Sequence, residues 1–167
     1  MPEVLNSVLG VHYVFPSKEL LLRAVHEDVV FERSRILQDA AGFAADLGSG
    51  MIEGARTACT KLIEPDPGQP LRQYELTVWA LRAAGMAELA RWQYERCIEL
   101  LTAYWEQLAA RAEVTLAVPT GVLARLQLAG ADGCCWYLAT RDLDRTVADR
   151  DAHIRHLVRY ADPQPAG

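Results

Sequence analysis

Helix-breaking residues divide this chain into six stretches of helical length. Between the breaks, nothing alternates apolar and polar residues for long enough to build a strand. The breaks fall at Pro16-Ser17, Gly48-Ser49-Gly50, the run Glu64 to Pro70, Gly85, Val118-Pro119 and Arg141-Asp142. Ala, Leu, Arg and Glu fill the intervals, and these residues favour helix. The first helix starts at Ser17, a good N-cap with Glu19 in the first turn, and runs to the mid-forties with Leu21, Val25 and Val29 on one face. A second, about 49–63, aligns Met51, Ala55, Cys59 and Leu62. The proline-rich turn resets direction, because proline cannot continue a helix interior. The third, about 70–84, groups Leu71, Tyr74, Val78 and Leu81, with Trp79 beside them. The fourth, about 86–111, has the cleanest period: Ala90, Tyr94, Cys97, Leu101, Tyr104 with Trp105, and Leu108.

Pro119 suits the first turn of a fifth helix, about 119–140, which carries Val122, Leu126, Ala129, Gly133, Trp136 and Thr140. The sixth starts near Asp142 as N-cap and presents Leu143, Val147, Ile154, Leu157 and Ala161. Residues 162–167, with two prolines, are expected to fray. The expectation is an all-α single domain. At 167 residues the chain is long enough to bury a full core.

Composition narrows the function classes. The formal net charge is −5, and the first 26 residues hold only Lys18 and Arg23 as cations. A nucleic-acid surface needs clustered Lys and Arg. No apolar run reaches the roughly 18–20 residues that cross a bilayer, and no signal-peptide pattern opens the chain. Cys59, Cys97, Cys134 and Cys135 lack metal-site spacing, so reduced thiols and a cytoplasmic location are expected. His153 and His156 share a helix with Asp149, but Asp149 and His156 lie two turns apart, about 10 Å, and cannot meet on one ion. Glu-x-x-His pairs, a Cys with a nearby His, and phosphate-cradling glycine loops are all missing. The expectation is no enzyme, no metal and no cofactor.

Two stretches carry a resemblance. Residues Gly10 to Val25 read GVHYVFPSKELLLRAV: an aromatic pair, Tyr13 and Phe15, runs through Pro16-Ser17-Lys18-Glu19 into a Leu-rich helix. Ala129 to Thr146 read AGADGCCWYLATRDLDRT, an Asp-Gly followed by apolar residues and a short acidic turn. Both, with the helix count between them, resemble TetR-type (tetracycline-repressor) transcriptional regulators from about Ser7 to Ala161. The resemblance implies a helical effector-binding and dimerisation domain of about six main helices, the last two forming a four-helix bundle between two subunits. It divides the chain into 1–15, a remnant of the DNA-binding helix-turn-helix; 16–162, the effector-binding and dimerisation domain; and a tail, 163–167. His12 and Tyr13 would lie near the DNA backbone, and Lys18 matches a phosphate-contacting position. Two departures stand out: the family often has Tyr where His12 stands, and only about a dozen residues occupy the place of two further helices. A recognition helix of some seven residues is below the length of stable isolated helices, about 12–15. Residues 1–15 are therefore expected to be disordered or docked on the body, and operator binding is expected only where the missing head is supplied.

Composition and resemblance together nominate Met51, Cys59, Tyr74, Trp79, Tyr94 and Trp105 as the wall of a cavity for a small apolar or aromatic effector. Any single aromatic among them is more often plain core than ligand wall. The resemblance places Leu126, Ala129, Gly130, Gly133, Val147, Ile154 and Leu157 at a homodimer interface, where small residues let backbones approach. The competing reading of the glycines is a local break at Asp132-Gly133. The alternatives to a ligand-responsive regulator are a small helical-bundle enzyme, or a headless partner that traps a full-length relative in an inactive heterodimer.

Overall fold

In a computed structural model, residues 17–41, 46–66, 68–140 and 143–166 are described. Among them lie six helices: α1 (Lys18–Ala41), α2 (Leu47–Ala58), α3 (Gln69–Arg82), α4 (Ala87–Arg111), α5 (Thr120–Thr140) and α6 (Leu143–Ala161). The all-α expectation holds at this level. Two details differ. A π-helical turn, Cys59–Ile63, prolongs α2, and two three-residue strands, β1 (Val114–Leu116) and β2 (Pro163–Pro165), pair antiparallel.

The helix starts follow local chemistry. Gly48 and Gly50 do not break the chain. Asp46 caps α2 instead: the Ser49 amide donates to its Oδ1 (2.9 Å), while the Asp46 amide donates to Ser49 Oγ (3.3 Å). These bonds hold the Asp46 carboxyl below its ordinary range. In α3, Pro70 falls in the first turn, where no N–H is needed. The Asp132-Gly133 break does not form, and α5 runs through to Thr140.

Residues 163–165 do not fray. Glu113 and Asp162, each just past a helix end, take left-handed backbone (φ 52° and 45°) and turn the chain into β1 and β2. Thr115 pairs with Gln164 between the flanking prolines. The Ala117 amide donates to Ala161 O (3.0 Å), and the Ala166 amide donates to Glu113 O (2.8 Å). Proline is tolerated because both strands are edges. The ribbon ties the end of α4 to the end of α6.

At the centre, α4 packs against α1, α2, α3, α5 and β1; α5 packs on α6, and α6 on α2. Leu47, Met51, Tyr104, Trp105, Leu108, Leu123, Ile154, Leu157 and Ala161 form one buried cluster, and burying each large member contributes about 1.5–3 kcal/mol. Tyr104 crosses the α2 backbone where Gly54 lacks a Cβ, and its hydroxyl donates to Gly50 O (2.8 Å). Burial, with Glu53 nearby, pushes this phenol up to about 12. Leu22, Ala80, Met86, Leu89 and Ala90 form a second cluster joining α1, α3 and α4.

Two helix faces differ from expectation. In α3, Val78 and Leu81 point outward while Pro70, Thr77 and Ala80 are buried. Small Thr77 lets α3 approach α4, its Oγ1 bonding to Gln73 O (2.9 Å) and meeting Gln93 Oε1 (3.3 Å). In α1, Leu22 and Ile36 are buried and Val25 is exposed; the side chain of Val29 lies outside the described residues, as does that of Leu62 in the π turn.

Candidate functional site

Small residues on α2, its π turn and α5 leave space between the helices at the end away from the ribbon. Ala55, Ala58, Cys59, Gly130, Ala131 and Cys134 stand there in place of the large side chains of the buried cluster. The result is a cavity of about 180 Å³. The π turn supplies Cys59 and Ile63, α4 supplies Cys97, Leu100 and Leu101, and α1 supplies Ile36 and Leu37. Such turns often mark functional sites, since an extra residue re-aims the helix face. The lining is mainly apolar, and all four cysteines of the chain belong to it. No disulfide joins them. Burial pushes the Cys59 and Cys134 thiols up, against the opposing influence of Arg150, so both are protonated at neutral pH and act as polarisable apolar wall.

Polar groups are concentrated at two places on this wall. At one, Asp132 accepts hydrogen bonds from Tyr74 (2.9 Å) and Tyr94 (3.0 Å). Burial, together with Cys135 and Asp132, pushes the Tyr74 phenol far up, so it donates at any physiological pH. Trp136 stacks on Tyr74 with ring centroids 5.3 Å apart. At the other, α6 presents Arg150 and His153, one turn apart. Arg150 Nε and Nη2 donate to Asp151 Oδ1 (3.0 and 2.7 Å), and Arg56 donates to Asp151 Oδ2 (2.8 Å). Burial alone would push the Asp151 carboxyl up, but bonds from Arg150 and Arg56 outweigh it and hold it below the ordinary range. The imidazole of His153 lies against Gly130, where a Cβ would fall 2.1 Å from Nε2. That nitrogen is buried and, among the described residues, has no hydrogen-bond partner.

Of the six residues nominated for the wall, Cys59 and Tyr74 line the cavity. Met51 and Trp105 belong to the buried cluster, where Trp105 Nε1 donates to Gln127 Oε1 (2.8 Å). Trp79 and Tyr94 are partly exposed and outside the lining. Four interface candidates also move. Gly130 and Val147 line the cavity, Ile154 lines it from within the core, and Leu157 is core; at 3 % exposure each, Ile154 and Leu157 are already used inside the subunit and cannot be outward contacts. Leu126 and Ala129 do face outward, and no described side chain lies within 4 Å of the Cβ position of Gly133. His12 and Tyr13 lie outside the described residues, as does the side chain of Lys18.

Sequence reasoning misses Asp132, Arg150 and His153. Their i, i+3 spacing beside Ile154 is the available signal for the last two, but charged residues on a helix ordinarily read as solvated. Among the described residues, no three His, Cys, Asp or Glu side chains group as a metal site, and no helix is long and apolar enough to cross a membrane. No family model, curated protein or solved structure matches the chain.

Proposed function

We propose that this chain is the effector-binding and dimerisation core of a TetR-type transcriptional regulator, a sensor and not an enzyme. The observation that carries the reading is the cavity: mainly apolar, of about 180 Å³, lined from all six helices and furnished with two small polar groups. A roughly 150 Å³ apolar hollow holds benzene, so the occupant is a single ring or a short chain. Ile36 and Leu37 of α1 touch the same space, and α1 follows directly on the Ser17 seam. An effector that prefers one placement of α1 shifts the population toward it, and the DNA head of an intact regulator senses that shift.

Dimerisation falls to the outward stripe of α5. Leu126, Ala129, Gly133 and Trp136 recur at helical spacing on one face, with Leu126 42 % and Trp136 54 % exposed. A second copy presenting the same stripe covers it isologously.

Sedimentation equilibrium combined with a thermal-shift screen of single-ring and short-chain compounds tests the reading. The expected result is a dimer whose melting temperature rises with at least one such compound. A stable monomer that no such compound stabilises overturns it.

A further inference from the structure

The cavity has one polar position whose partners are incomplete. Arg150 is only 12 % exposed at its side chain and shares the carboxylate of Asp151 with the half-exposed Arg56, which also has Glu53 nearby. Guanidinium offers five N–H donors in a planar fork. Asp151 takes one bond from Nε and one from Nη2, and Nη1 reaches Ala55 O only at 3.5 Å. One turn further along α6, His153 Nε2 is buried against Gly130 without a described partner. A buried polar nitrogen left unbonded costs free energy that a ligand oxygen removes. The Asp132 position is different: its carboxylate already accepts from Tyr74 and Tyr94.

We infer that the cavity binds a compact apolar molecule bearing one carboxylate, its head seated between Arg150 and His153 and its body on the leucine, isoleucine and cysteine wall. The inference rests on the reading of this cavity as the effector site and specifies what the effector must carry. Arg150 donates to one carboxylate oxygen, and the imidazole of His153, turned off the Gly130 backbone that covers Nε2, donates from Nε2–H to the other. No bond is made or broken. The buried guanidinium fork of Arg150, with donors that Asp151 does not use, pairs with a carboxylate better than with a neutral isostere of equal shape. The protonated thiols of Cys59 and Cys134 add contact without competing charge.

The test is calorimetric titration of the intact protein with three matched probes: para-ethylbenzoate, its primary amide and para-ethyltoluene. The acid binds about tenfold or more tighter than the other two, the margin of one charge-assisted contact. In His153→Leu, acid affinity falls about tenfold while the hydrocarbon changes less than about twofold. Arg150→Met lowers acid affinity further and Arg150→Lys restores part of it; the probe series on the unaltered protein stands even where Arg150→Met does not fold. Equal binding of acid and hydrocarbon, or an acid affinity indifferent to His153→Leu, overturns the carboxylate assignment and leaves the effector site intact. Failure of all three probes to bind overturns both.

Discussion

The same four helices, α2, α4, α5 and α6, are packed solid at one end and hollow at the other. Near the ribbon, Leu47, Met51, Tyr104, Trp105, Leu108, Leu123 and Leu157 meet in one buried cluster, and β1 with β2 closes the end. A few turns away the same helices present Ala58, Cys97, Gly130 and Cys134, and a cavity opens. Helix geometry holds a near-constant spacing between axes, so side-chain volume alone decides whether the gap is filled. One end supplies stability and the other supplies space. That division needs no second domain.

The largest expected effect is at the solid end. Trp105→Ala removes the central side chain and leaves the buried Gln127 carbonyl without its donor, costing about 3–5 kcal/mol. Urea denaturation measures it. A loss under about 1 kcal/mol would break the comparison, because stability would then reside elsewhere.

Gly130→Ala probes the boundary between the two regimes. The new methyl falls 2.1 Å from His153 Nε2, so the imidazole must move, at a cost of about 1–3 kcal/mol. Combining it with His153→Ala relieves the clash, and the double-mutant cycle reports a coupling comparable to the single loss. Simple additivity would mean that the ring is not held against Gly130 in solution.

Much of the solid end is legible in the sequence, and little of the hollow end is. Cys97, Tyr104, Trp105 and Leu108 fall on the period-3.6 stripe of α4, and all are buried. The stripe fails in α3, where Val78 and Leu81 are more apolar than Thr77 and Ala80 but the smaller pair permits the closer helix contact. Trp105 reads as cavity wall because an aromatic residue looks the same in a core and beside a space. Arg150 and His153 read as surface; the partner that makes the arginine structural, through Asp151, is Arg56, 95 positions before that aspartate. Gly130 reads as a subunit contact, since a sequence shows that a glycine leaves room but not which neighbour fills it. The β-ribbon escapes notice because three residues are too short to display alternation, and Pro163 and Pro165 argue against a strand.

Acid sharpens the contrast through two aspartates at opposite ends. Asp46 caps α2 beside the solid cluster, and Asp151 bridges two arginines at the cavity. Both carboxyls are held below the ordinary 3.8 in the folded chain. The unfolded chain therefore takes up protons first. Their stabilisation is complete above the unfolded value and is lost as pH falls through the folded one, with a slope of at most about 1.4 kcal/mol per pH unit for each proton. Melting temperature followed from pH 6 to pH 2 should fall below about pH 4. Asp151→Asn should flatten that fall more than Asp46→Asn, because the carboxylate of Asp151, which burial alone would raise, is held ionised by two guanidiniums, while the exposed cap meets only the neutral donors of Ser49 and the Gly48 backbone. The reverse order would make the cap, and hence the solid end, the acid-sensitive element.

Cys134→Ala carries the smallest expected effect and the most direct check on the hollow end. Its thiol borders space and not close-packed neighbours, so removing it merely enlarges an existing cavity by one sulfur atom. A side chain with packing atoms on one side only forfeits little dispersion energy, about 1 kcal/mol or less, against the several expected for a deletion in close packing. The same urea titration used for Trp105→Ala reads it. A loss near that of Trp105→Ala would mean that the helices close around Cys134 in solution, leaving no room for an occupant. A loss within about 1 kcal/mol, with probe binding retained, would show that the space is a tolerated property of this end of the bundle, held open by the packing at the other.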